Sequence, residues 1–207
     1  MIFKSEADDF HLLESYKERN LYYKIFGGYF FNELIDDCAK RKEQFINLIA
    51  AVSDNERVWD PENKVPSFLK DMAVEKDWGV TFDYHTAQVF QEDKREDRGE
   101  MSDVLVLSKT KMISIECKFL SNFSIQKDIE SVQDRIDKFS SDTRFNRDPL
   151  QLLLLKKDKW DNSAKFIGRL ETLQPKIPIV VIFWEELNEI IDNESVKKYL
   201  TTQIHRK

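Results

Sequence analysis

The chain has 207 residues, a net charge of −6, and only five glycines and five prolines, which argues against long flexible linkers. A hydrophobic share of 41% beside a charged share of 34% excludes a disordered polymer and describes a folded domain with a heavily charged surface. No apolar run approaches the roughly 18 residues needed to cross a bilayer, so no membrane partner is expected.

In chain order, residues 8–20 read as a short helix. A helical pattern follows over 23–52, where Phe31, Leu34, Ile35, Cys38, Phe45, Ile46, Ile49 and Val52 recur at three- and four-residue steps. Gly27-Gly28 is expected to break its start, and Ser53-Asp54-Asn55 to end it. The segment 60–78 carries Pro61 and Pro66 and reads as irregular, with a short helix at 67–75. Val80, Phe82 and Tyr84 alternate with polar residues, which predicts a strand over 80–91. The charged stretch QEDKREDRGE reads as a loop.

Strands are expected at 103–107 and 112–119. Helical spacing returns at Ile125, Ile129, Val132, Ile136 and Phe139. A second helix is expected from Asp148-Pro149, since Asp caps a helix and Pro suits its first turn. It would carry Gln151 and the run Leu152–Leu155, although such a run is equally compatible with a buried strand. Ile177–Trp184 reads as a central buried strand, and 185–200 as a closing helix. The expected fold is α/β: one domain over 1–207 with a central mixed sheet flanked by helices.

The N-terminal sequence MIFKSEADDFHLLE lacks the order of a signal peptide. Cys38 and Cys117 are the only cysteines, and Cys117 falls in a core strand. A reduced, cytoplasmic setting follows as the expectation. Two cysteines without paired spacing exclude the usual structural zinc cluster. His11, His85 and His205 show no metal-ligand spacing, and the chain carries no P-loop, dinucleotide turn or nucleophile elbow.

The chemistry concentrates in SDVLVLSKTKMISIECKF. If Ser108–Lys111 form the turn, Leu107 pairs with Met112, Leu105 with Ser114 and Asp103 with Glu116. Directly opposed residues share a face, with Cβ atoms roughly 5 Å apart. Lys118 lies two residues beyond Glu116 and shares that face. Glu-x-Lys occurs three times, at Glu62/Lys64, Glu92/Lys94 and Glu116/Lys118. Only the third sits in an alternating apolar strand with an Asp across a turn.

Two carboxylates and an ammonium suit metal-assisted phosphodiester hydrolysis. Mg²⁺ prefers oxygen ligands and keeps several waters, so a few carboxylates suffice, and Mn²⁺ can substitute. Asp103, Glu116 and the Cys117 carbonyl are the expected metal ligands. Lys118 would orient the attacking water or neutralise charge on the phosphate. Basic residues Lys109, Lys111, Arg144, Arg147, Lys156, Lys157 and Lys159 are the candidate phosphate contacts, despite the negative net charge.

Asp103, twelve intervening residues and then Glu116-Cys117-Lys118, on two strands between helices, resemble the PD-(D/E)xK nuclease superfamily. The position before Asp103 is Ser102, where the family pattern has Pro. The resemblance implies a restriction-endonuclease-like core of helix, three strands, helix and strand over about 30–185. A helical N-terminal extension over 1–29 and the closing helix flank it. It implies a further metal-facing Glu on the first core helix, for which Glu43 is preferred over Glu33. It also implies a Gln near the site, Gln151 or else Gln133.

The implied activity is Mg²⁺-dependent cleavage of nucleic acid, double-stranded DNA first, by an endonuclease of restriction, defence or repair type. Sequence-specific cutting would favour a homodimer. A ribonuclease, or a binding or assembly module of the same fold that has lost cleavage, are the alternatives.

Overall fold

The structure, a computed structural model, describes residues 21–34, 36–52, 55–75, 77–85, 101–118, 130, 147–160 and 163–205. A six-stranded mixed sheet forms its centre. The strands are β1 (Val58–Trp59), β2 (Gly79–His85), β3 (Met101–Leu107), β4 (Lys111–Lys118), β5 (Asp148–Leu155) and β6 (Ile179–Phe183), in spatial order β1-β6-β5-β4-β3-β2. The strands β2, β3 and β4 pair antiparallel, β5 and β6 continue parallel to β4, and β1 closes the other edge antiparallel to β6.

A π-helix (Tyr23–Phe30) and helices α1 (Cys38–Ala50), α2 (Val65–Val74), α4 (Trp184–Ile190) and α5 (Glu194–Ile204) cover one face. Their buried side chains, including Phe26, Phe45, Ile49, Met72, Trp184 and Leu200, join Val104, Val106, Ile113, Ile115 and Leu152 in one apolar cluster. Helix α3 (Ser163–Leu173) covers the other face, where Phe166 and Leu170 pack on Leu153, Leu155, Ile179 and Val181.

Capping follows from local sequence. Asp60 accepts bonds from the Lys64 and Val65 amides at 2.8 and 2.7 Å and opens α2. Asn193 does the same for α5 through Val196 N, at 3.0 Å.

Three expectations change. Gly27-Gly28 do not break the first helical pattern; they lie inside the π-helix, and the interruption falls at 31–37, before Asp37 takes a left-handed conformation with φ 68°. Gly27 serves a close approach instead, because a Cβ there would stand 3.0 Å from the Phe82 ring. The segment from Asp148 is strand β5, not a helix. Its leucines are buried on both faces of a parallel interior strand, a position that accepts a continuous apolar run. The closing helix is two helices, separated at 191–193. There the Tyr29 hydroxyl donates to Asp192 at 2.6 Å and accepts from the Asp192 amide at 3.0 Å.

The hairpin strands agree with expectation to within two residues. The strand expected over 80–91 is described over 79–85, and its remainder lies outside the described residues, as do the helix at 8–20 and most of the pattern at 125–139.

Candidate functional site

The β3–β4 register is Leu107↔Met112, Val106↔Ile113, Leu105↔Ser114 and Val104↔Ile115. The turn closes with Ser108 N donating to Lys111 O at 2.9 Å. The next step of the register would set Asp103 opposite Glu116, but the pairs stop one residue short. In place of a ladder bond, the Cys117 amide donates to Asp103 Oδ2 at 2.7 Å. A regular ladder would direct that N–H to the Ser102 carbonyl. The Asp103 carboxylate is thereby held against the end of β4.

Strand β4 stays in register with β5 along its whole length, so its pleat is regular. Ile113, Ile115 and Cys117 face the cluster under α1. Met112, Ser114, Glu116 and Lys118 therefore face the other side. Glu116 is buried, at 9% exposure. Its Oε1 lies 2.9 Å from Lys118 Nζ. Asp103, Glu116 and Lys118 thus meet at one end of β4. Cys117 directs its amide toward β3, and in an antiparallel strand its carbonyl points the same way.

Gln151 stands beside Ser114 on β5 and is fully buried. Its Nε2 donates to Leu152 O at 3.0 Å, while its Oε1 has no hydrogen-bond partner. It lies one step of the same face below Glu116, so the change from helix to strand keeps it near the site.

Comparison of the chain with family models, with curated proteins and with solved structures gave no match.

Other predicted residues lie elsewhere. Glu43 is exposed on α1, whose buried Phe45, Ile46 and Ile49 pack on the face opposite Glu116. Glu33 is also exposed and pairs with Lys42 at 3.5 Å. Neither is brought to the hairpin end. Gln133 and Arg144 fall outside the described residues.

The basic residues divide between the two ends of β4, roughly 20 Å apart at about 3.3 Å per residue. Lys109, Lys111 and Arg147 gather at the turn, away from Lys118. Lys109 is exposed there. Lys111 is buried and bonds Asp148 at 2.6 Å and Asp71 at 3.1 Å. Burial works to lower its pKa, but these two carboxylates raise it. Arg147 Nε donates to Ser108 O at 2.6 Å. Both side chains serve the hairpin.

Glu75 reinforces the same turn. Burial pushes its carboxyl up, but bonds from the Ser108 and Thr110 hydroxyls and the Thr110 and Lys109 amides hold it down at about 2.

Lys156, Lys157 and Lys159 follow the last residue of β5, and Leu155 is in register with Lys118. Lys156 is buried, with its ammonium 3.4 Å from Asp158. Lys157 is exposed, and Lys159 ends the same 3₁₀ turn.

The donor set at the hairpin end fits Mg²⁺ in kind: two carboxylates and a main-chain carbonyl are hard oxygen ligands, with room in the coordination sphere for water. Among the described residues no three His, Cys, Asp or Glu side chains are grouped to hold a metal. Among the described residues the hairpin end offers two acidic side chains, Asp103 and Glu116. Sequence reasoning missed the buried hydroxyls of Ser102 and Ser114, which lie 2.9 Å apart beside this site. Their only signal was two serines in otherwise apolar strands.

Proposed function

We propose that this chain is a Mg²⁺-dependent nuclease of the PD-(D/E)xK kind, acting on DNA phosphodiester bonds in the cytoplasm. One arrangement carries the reading: Asp103 fastened to the Cys117 amide, beside a Glu116–Lys118 pair 2.9 Å apart. The order of elements supports it as well. Helix α1 is followed by the antiparallel run β2-β3-β4 and then by β5 parallel to β4. That order suits the core of helix, three strands, helix and strand, with β5 rather than β6 as the last strand. Between β4 and β5 the described residues are Glu130, which is helical, and Arg147.

A bound Mg²⁺ would supply Lewis-acid polarisation of a phosphoryl oxygen and a more acidic water. Asp103, Glu116 and the Cys117 carbonyl would hold it. The chain's own groups do the rest. The Cys117 amide fixes one Asp103 oxygen and so orients the carboxylate. The low exposure of Glu116 strengthens its attraction for cations, because little water screens it. Lys118, tethered by Glu116, places an ammonium where a phosphate would accumulate charge. Lys157, exposed just beyond the end of β5 that is in register with Lys118, would contact the nucleic-acid backbone.

A second reading is a binding module of this fold without cleavage. The observation favouring it is that Glu43 and Glu33 lie away from the hairpin end, leaving two carboxylates among the described residues.

The test is incubation of supercoiled plasmid and single-stranded RNA with the protein, with Mg²⁺, Mn²⁺ or EDTA. Nicking that needs metal and vanishes in a folded Lys118→Ala variant is expected. Full cutting by that variant would falsify the site. DNA binding with no calorimetric metal signal and no cutting would select the module.

A further inference from the structure

We infer that the Ser102–Ser114 hydroxyl pair is a positioning device for Asp103, resting on the nuclease reading above. The inference starts from a departure in geometry. Ser114 pairs with Leu105 and faces the Glu116 side of the sheet. In an unbroken ladder Ser102 would stand opposite Cys117, three residues along from Leu105 and turned to the other face. Its hydroxyl nevertheless lies 2.9 Å from that of Ser114, and both residues are fully buried.

The two contacts describe one local event. The β3–β4 pairing ends at Val104 while β3 stays paired with β2 through Ser102 and Met101, Ser102 turns toward Ser114, and Asp103 Oδ2 takes the Cys117 amide at 2.7 Å. A buried hydroxyl needs a partner, and here the two share one hydrogen bond, in which either can be the donor. The pair therefore fixes the path of β3 on one side of Asp103, while the Cys117 amide fixes its carboxylate on the other. Neither serine is a catalytic residue. Their role is to hold the distance between the Asp103 and Glu116 carboxylates, which sets how well a divalent cation is held. Residues that orient metal ligands in this way typically change metal affinity by about 10- to 100-fold when removed.

The experiment uses the full chain and three variants: Ser102→Ala, Ser114→Ala and the double variant. Each single change removes one side of the hydroxyl–hydroxyl bond, whereas the double change removes both together. Mn²⁺ binding is measured by calorimetry, and plasmid nicking is followed across Mn²⁺ concentrations. The expected result is a half-saturating Mn²⁺ concentration raised at least tenfold in all three, with the double variant no worse than the singles and the maximal rate largely restored at high metal.

A purely structural role would lower the melting temperature without moving the metal midpoint, and that outcome in the folded double variant overturns the inference. If wild type binds no Mn²⁺, the nuclease reading fails first, and the serine inference fails with it. If wild type binds Mn²⁺ and the double variant binds it equally well, only the inference fails.

Discussion

On the proposed nuclease reading Asp103 has two separable duties, a structural hydrogen bond and a metal ligand, and replacing it two ways should pull them apart. Its carboxylate accepts the Cys117 amide at 2.7 Å, just beyond the last β3–β4 pair, Val104↔Ile115. Asp103→Ala leaves that N–H without its acceptor. A hydrogen bond to a charged group contributes about 1.5–3 kcal/mol, so the loss is about 2 kcal/mol. For a protein of this size each kcal/mol moves the melting temperature by about 2–4 °C, which predicts a fall of about 4–8 °C.

Asp103→Asn keeps an oxygen acceptor in nearly the same place. Its stability cost is about 1 kcal/mol or less, but the anionic ligand is gone. Metal-dependent nicking is expected to fall at least about 100-fold in both variants, since losing a direct ligand should exceed the effect of losing a supporting one. Urea unfolding and a plasmid-nicking assay in Mn²⁺ read the two duties independently. Wild-type nicking by Asp103→Asn, or unchanged stability in Asp103→Ala, refutes the reasoning.

Three further outcomes follow from the packing. Burial first, and then the bond to Asp192, push the Tyr29 hydroxyl up to about 12 from 10. The folded state therefore holds a proton the unfolded state has lost between those values, so this contribution is complete below pH 10 and disappears toward pH 12. At about 1.4 kcal/mol per unit it is worth about 2–3 kcal/mol, and Tyr29→Phe should flatten that part of an alkaline unfolding series. Arg57→Ala removes a guanidinium that bonds both Glu186 oxygens at 2.9 and 3.0 Å and lies 4.7 Å from the Phe183 ring centre; a loss of about 2 kcal/mol at an unchanged urea slope is expected. Gln151→Met replaces a buried amide whose Oε1 is unpaired, so urea unfolding should show stability unchanged or raised by about 1 kcal/mol. A loss beyond that would mean the oxygen has a partner.

The hairpin was legible because its signals were local. Two short apolar runs, VLVL and MISI, joined by a short polar turn, leave few ways to pair, and Leu107↔Met112 is the observed register. The end of that hairpin was not legible. No periodicity says that Asp103 would replace a main-chain acceptor, or that two serines would meet across the strands. Leu152–Leu155 misled for a different reason: a strand buried on both faces loses the alternation that would distinguish it from a helix. The break at 31–37 was hidden because apolar spacing continued across it, while two glycines offered a false stop. For Glu43, helical spacing located the flank of an apolar stripe but carried no information about which face of the sheet α1 would cover.

The bond from Cys117 to Asp103 has a practical consequence. A main-chain amide hydrogen-bonded to a carboxylate registers any change in that carboxylate's charge. In a ¹⁵N-resolved spectrum the Cys117 resonance is thus a built-in meter for whatever binds at Asp103. A divalent cation, an added proton or a substrate phosphate would each draw electron density from the acceptor and move that peak. Ile113 and Ile115, deeper in the same strand, would stay as internal standards.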